Sequence, residues 1–381
     1  MGGARTRLHM QIAVNALAAT RGGAVTMLKP FLSALRRLEH DWQFTVYVRD
    51  ARLEVDLSSL GVTTVVLRTG RGRRSWLELI GLDRRARKDG AILMLNLLNS
   101  GSLVPRLPSI TWQRNALYFD RRWLVRQPIR MRLEAALRRS VALLACRASV
   151  ATVAPSRAMA GYVQDWPLGR GMRIVVIPHG VDAERFTPVK DRPREGGFTI
   201  GVIGHAASHR GHVAAVQVLG AVRRRGVDAT LLLTVPRYGN PAFQSAVDDA
   251  AATADLLGLS EHVTFGGETS DPAAWYRRID LLLIPSECES FCFPLVEGFA
   301  SGLPVVTSGL PALREIAGDL ALHGETPLKM ATCILDLYKE PEVQRLQRSD
   351  LERMRAEDFA WGDMAVKLRA LVIEILHGVR R

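Results

Sequence analysis

Short apolar runs recur along the chain, each followed by a stretch whose apolar residues return every three or four positions. The first run is 8–14. A loop ends at Gly23, and 24 to about 38 then sets Met27, Leu28, Phe31, Leu32 and Leu35 on one helical face. Residues 44–48, 63–67 and 91–95 read as further strands. A second series opens at 198–203 and continues through 230–233, 262–265, 281–284 and 304–306. Strands alternating with helical stretches predict parallel, doubly wound sheets, because each return to a parallel neighbour crosses over through a helix. Two Rossmann-like α/β domains are therefore expected, and 381 residues exceed the usual size of one core.

The stretch 187–197 is rich in Pro, Gly and charge and reads as a linker, giving an N-terminal domain over 1–186 and a second over 198–362. Residues 364–376 predict a last helix within a tail of 363–381. Charge separates the halves: residues 1–190 hold 31 Lys and Arg against 13 Asp and Glu, a formal +18, and the rest of the chain carries −5. Such a basic half suits nucleic acid, an anionic membrane surface or an acidic acceptor. In 121–133, continuing to Arg138 and Arg139, arginines interleave with Trp123, Leu124, Ile129, Met131 and Leu133. This pattern fits an interfacial amphipathic helix on an anionic membrane, and also a solvated basic helix with its apolar side in the core. Nucleic acid is disfavoured, because no recognisable binding module with interleaved aromatics is present.

No run approaches the roughly 18 apolar residues of a membrane span. An apolar signal-peptide core is also missing, since 10–19 is broken by Gln11 and Asn15, so a cytoplasmic or peripheral protein is expected. Residues 1–6 match a myristoylation pattern formally, as short motifs do by chance. Cys146, Cys288, Cys292 and Cys333 lack paired metal-ligand spacing and read as reduced structural thiols.

Candidate chemistry concentrates in 285–306. Glu289 falls in a strand-to-helix loop and Glu297 about two turns further on, in a short helix over 294–299. In an open α/β sheet such loops lie at the carboxyl ends of the strands, where ligands bind and helix N-termini face anions. Carboxylates there suit a sugar or ribose, since each accepts hydrogen bonds from two hydroxyls. Residues 204–211, Gly-His-Ala-Ala-Ser-His-Arg-Gly, follow a strand and precede a helix near His212, a geometry that offers backbone N–H groups to phosphate. Arg210 can clamp a phosphate bidentately and stays charged. Gly22 and Gly23 permit close backbone approach to a ligand or a plain turn.

The pair Glu289 and Glu297 resembles the Glu-x7-Glu signature of family-four retaining glycosyltransferases, which have the two-domain GT-B fold with its domains facing across a cleft. Other pieces follow in the same chain order: Gly22-Gly23 after the first strand, 177–182 with 186–188, and 204–211. The resemblance implies that Glu289 binds donor-sugar hydroxyls at the reacting face, Arg210 holds the donor diphosphate, and Glu297 holds the nucleotide ribose. It sets Gly204 and His205 in the diphosphate loop, with His205 where relatives carry Arg. It sets Ser290, Phe291, Cys292 and Phe293 against the sugar and distal phosphate, with Ser290 and Cys292 where relatives commonly carry Gly. Gly22 and Gly23 would close over the donor phosphate or acceptor, Asn115 would stand where many relatives carry His, His179 would shape the cleft floor, and Gly266 would line the base pocket. Expected partners are a nucleotide sugar and a cell-envelope, polysaccharide or lipid-linked glycan acceptor. No cofactor or metal is expected, as the sequence contains no Asp-x-Asp pair to hold a divalent ion on the diphosphate. A sugar-nucleotide epimerase of the same fold and a non-catalytic membrane-surface binding protein are the alternatives.

Overall fold

The computed structural model describes residues 10–19, 23–188, 197–238 and 241–379. It divides the chain into two units, one running to residue 180 and resuming at 361, the other spanning Val181–Ala360. The sequence reading set 181–186 with the first domain. These residues instead pack in the second, where the Val181 amide donates to the Phe359 carbonyl at 2.7 Å and Phe186 stacks edge-on against Tyr276. Residues 1–9, Gly22 and 189–196 lie outside the described residues, and with them the formal myristoylation pattern, half of the Gly-Gly pair and most of the expected linker.

The first unit is built on a parallel sheet of seven strands: β1 (Met10–Asn15), β2 (Trp42–Val48), β3 (Thr63–Val66), β4 (Leu93–Asn96), β5 (Ser109–Trp112), β6 (Ala151–Ala154) and β7 (Ile174–Val176). Their order across the sheet is β3-β2-β1-β4-β5-β6-β7. The helix Gly23–Leu38 packs against the closing helix Trp361–Val379, whose Arg369 pairs with Glu39 and whose Glu374 accepts from Arg173 at 2.6 Å. The basic segment expected as one amphipathic helix is two: Arg121–Leu124, then Ile129–Ala148. Pro128 separates them, because its ring cannot follow a preceding helical turn but opens a new helix readily.

The second unit carries β8 (Phe198–Val202), β9 (Ala229–Leu233), β10 (Val263–Phe265), β11 (Leu281–Ile284), β12 (Val305–Thr307) and β13 (Leu322–His323), in the order β10-β9-β8-β11-β12-β13, all parallel. Both faces are covered. Leu281 and Leu283 join Ile200, Leu231, Val216 and Ile334 in one core cluster, while Leu282 and Ile284 join Leu232, Leu295, Phe299 and Ile316 in the other. A strand buried on both sides must be apolar at every position, which is why these strands appear as unbroken runs in the sequence. Winding outward from β8 in one direction and from β11 in the other leaves a crevice beyond their carboxyl ends.

Candidate functional site

The loops that leave β8 and β11 meet at that crevice. Gly211, at φ +72°, ends the first loop, and a Cβ there would run into the carbonyl oxygen of Pro285 at the start of the second. Only glycine combines that backbone with that approach. A backbone hydrogen bond from the Glu287 amide to the His209 carbonyl, 2.8 Å long, ties the two loops together. Gly204, at φ +148°, is held by Thr234, whose hydroxyl accepts from its amide at 2.9 Å and donates to its carbonyl at 3.1 Å.

Arg210 sits at the end of the 3-10 turn Ser208–Arg210, and its Nη1 donates to Oε1 of Glu289 in an ion pair. Glu289 is buried and the Arg210 side chain is 21% exposed. The Glu289 charge raises the Arg210 pKa above its ordinary value, against the opposing effect of burial. Arg210 Nε is buried without a hydrogen-bond partner. A guanidinium with one edge committed to a carboxylate and another donor unsatisfied can still accept an anion such as phosphate.

Glu297 lies one turn into the helix Phe293–Ala300, and its Oε2 accepts from the Tyr276 hydroxyl at 2.8 Å. Burial raises its pKa, opposed by that hydrogen bond and by the Arg185 charge. Burial also pushes Tyr276 well above its ordinary value, so it remains a donor. Between the two glutamates, Phe291 is buried against Phe293 and Phe359 at ring distances of 5.5 and 5.7 Å. Cys292 caps the helix at φ +81°, ψ +85°. That conformation is unfavourable for a residue with a side chain and natural to glycine. Ser290 is half-buried beside it.

His205 is exposed at the mouth of its loop, its pKa lowered by partial desolvation and the Arg210 charge, with Glu268 opposing. His209 and His212 flank Arg210 in sequence; burial, reinforced by the Arg210 charge, lowers them to about 3 and about 4. All three are therefore neutral near pH 7, and Arg210 supplies the local positive charge. Gly266 lies two strands from β8, at the end of β10, where its amide donates to the Leu233 carbonyl at 2.8 Å.

The first unit holds the remaining expected residues. Gly23 opens the helix after β1. Asn115 follows β5, and its Oδ1 accepts from the Leu117 amide at 3.1 Å, so the side chain caps the turn Ala116–Tyr118. Its own amide donates to Asn99 Oδ1 at 3.1 Å, and Asn99 holds a left-handed backbone at φ +62°. His179 is buried near Arg114; desolvation and that charge hold its pKa well below the ordinary value. Sequence reasoning missed Tyr276, Thr234 and Arg185, for which no local pattern gives a signal. His209 and His212 were legible only as members of the loop.

Residues 197–340 match the family model described as glycosyl transferases group 1. D-inositol 3-phosphate glycosyltransferase of Paenarthrobacter aurescens (strain TC1) is 30% identical over 209 residues, covering 50% of this chain and 48% of that protein. Glycogen synthase of Mycobacterium tuberculosis is 26% identical over 217 residues, covering 55% and 50%. The chain thus spans about half the length of the curated relatives it matches. Among solved structures, sucrose-phosphate synthase from Thermosynechococcus elongatus superposes with a TM-score of 0.75 at 15% identity, over 97% of this chain and 100% of that one. Anabaena Alr3699/HepE in complex with UDP-glucose gives 0.73 at 17% identity, over 96% and 100%. The chain has the two-domain α/β fold of GT-B glycosyltransferases, and its second unit carries the match to the glycosyl transferases group 1 model.

Proposed function

We propose that the protein is a retaining glycosyltransferase that moves a sugar from a nucleoside-diphosphate sugar, held in the second unit, to a glycan or lipid-linked acceptor. The observation that carries this reading is the Arg210–Glu289 pair at the switch point of the sheet, with Arg210 Nε left without a partner. The likeness to a protein solved with UDP-glucose makes UDP-sugars the first donors to try.

In this reading Arg210 binds the donor diphosphate and stabilises the charge that grows on it as the sugar leaves. The start of the helix Phe293–Ala300 adds a favourable dipole. Glu289 accepts from sugar hydroxyls and orients the ring, and Glu297 accepts from the ribose hydroxyls, keeping Tyr276 as its second partner. The bond from the anomeric carbon to the phosphate oxygen breaks while the acceptor oxygen bonds to the same face. The acceptor proton passes to the departing phosphate oxygen, so positioning replaces a dedicated base. The arginine and helix terminus carry the diphosphate charge, and transfer is expected to proceed in the presence of a chelator.

The test is thermal stabilisation by UDP-, GDP- and ADP-sugars, since a ligand that favours the folded state raises its apparent stability with affinity. One donor is expected to raise the melting temperature of the wild type and not of Arg210→Ala. Glu289→Gln, which keeps an acceptor for Arg210, is expected to bind that donor and lose about 10²-fold or more in turnover. The reading is abandoned if no donor shifts the wild type, or if Arg210→Ala responds as the wild type does.

A further inference from the structure

The helix Ile129–Ala148 of the first unit begins with two turns open to solvent. Every residue from Pro128 to Glu134 is exposed, and Ala135 is the first buried position. Ile129, Leu133 and Leu137, at i, i+4 and i+8, are 66%, 64% and 69% exposed, and Leu144, 46% exposed, continues the stripe. Arg130 flanks it on one side, Arg132 and Arg139 on the other. Arg126, Arg130 and Arg132 form no ion pair among the described residues, and Glu134, the carboxylate of these exposed turns, is occupied by Arg138 at 2.5 Å.

Beside the stripe runs a groove of about 420 Å³ floored by Leu124, Ile129 and Leu133. Its lining is cationic: Arg139 and Arg121 stack on Trp166 at 3.4 and 4.6 Å from the ring centre, and Arg132 lines the groove about two turns before Arg139 on the same helix. The Trp166 Nε1 donates to the Phe119 carbonyl at 2.9 Å, which fixes the ring as a platform for both guanidinium groups.

We propose that this helix end docks the protein on a bilayer containing anionic phospholipids, with the apolar stripe immersed at the headgroup boundary and the arginines on the phosphates. Hydrocarbon and negative charge are offered together by such a surface, and the alternatives each lack one of them. Nucleic acid would satisfy the arginines and leave the leucines wet. A second copy would cover the leucines and bring seven arginines, those between 121 and 139, against seven more.

Co-sedimentation of the full chain with extruded vesicles tests this, comparing phosphatidylcholine alone with mixtures containing phosphatidylglycerol. Binding is expected only to the anionic vesicles. Replacing Arg126, Arg130 and Arg132 with Gln should weaken it by about a hundred-fold, from roughly five-fold per arginine. Leu133→Ser with Leu137→Ser should abolish it while the melting temperature and the donor-induced stabilisation stay as in the wild type, because both side chains are exposed and belong to the first unit, whereas Arg210 belongs to the second. Equal binding to neutral vesicles, no binding to anionic ones, or retention by either variant would overturn the proposal. So would a dimer in sedimentation velocity that the leucine variant dissolves.

Discussion

Arg210 and Glu289 depend on each other for their burial. Removing one charge from such a pair leaves the other desolvated and unpaired, at a cost of about 3 kcal/mol or more, whereas replacing both with apolar groups of similar size is often neutral. Urea unfolding of Arg210→Met, Glu289→Leu and the double variant should therefore show two destabilised singles and a double close to wild type. A double as unstable as the sum of the singles would mean that the pair is not coupled. Cys292 makes a different case, because its left-handed backbone is strained while its side chain is buried. Cys292→Gly releases the strain and forfeits the packing, so its unfolding free energy should stay within about 1 kcal/mol of wild type. Cys292→Val sets a β-branched side chain at positive φ and should cost about 2 kcal/mol or more. Equal stability of the two variants would show that the backbone there is not constrained.

The element that joins these residues is the loop from β8 into the helix His212–Arg223, and it titrates. His212 is buried with Nδ1 lacking a partner, and its pKa falls to about 4. His209 falls to about 3. The unfolded chain takes up these protons below about 6.5, the folded loop only near 4 and 3, so stability is full above 6.5 and is lost as the pH falls through that window. The slope is at most about 1.4 kcal/mol per pH unit for each histidine. Glu297, whose raised pKa contributes the opposite sign, cancels in a comparison of wild type with His212→Gln. That variant should unfold with a shallower dependence on pH between 6.5 and 4, and an unchanged slope would show that His212 does not carry the effect. The loop itself was legible from sequence, because glycines bound it between an apolar strand and a helical stretch. The strands β8, β9 and β11 were legible as well, both faces being buried. Strands β5 and β6 were not: Ser109, Thr111 and Thr152 break their apolar character, and the partners that satisfy two of these hydroxyls, such as Ser149 at 2.7 Å from Thr111 Oγ1, arrive from elsewhere in the chain. The conformation of Cys292 was equally hidden, since nothing in a cysteine announces a glycine-like backbone.

At the scale of the whole molecule, the excess positive charge and the candidate donor site lie in different units. The first unit holds 33 Lys and Arg against 13 Asp and Glu, a net +20, and the second holds 18 against 25, a net −7. The candidate donor site nevertheless belongs to the acidic unit, so in the proposed function a dianionic diphosphate would be attracted there by one partly buried arginine and a helix end acting over a few ångströms. The basic unit acts through many exposed arginines whose field reaches into solvent. These two attractions respond differently to salt, because exposed charges are screened over a Debye length that shrinks from about 10 Å at 0.1 M to about 3 Å at 1 M, whereas a buried contact is screened far less. Binding to anionic vesicles is expected to fall by about ten-fold or more across that range, and the donor dissociation constant to move by less than about three-fold. Measuring both on the same preparation separates a local anion anchor from a diffuse one. If donor binding weakened as steeply as vesicle binding, the donor would be held by the exposed basic surface, and Arg210 would lose its assigned role.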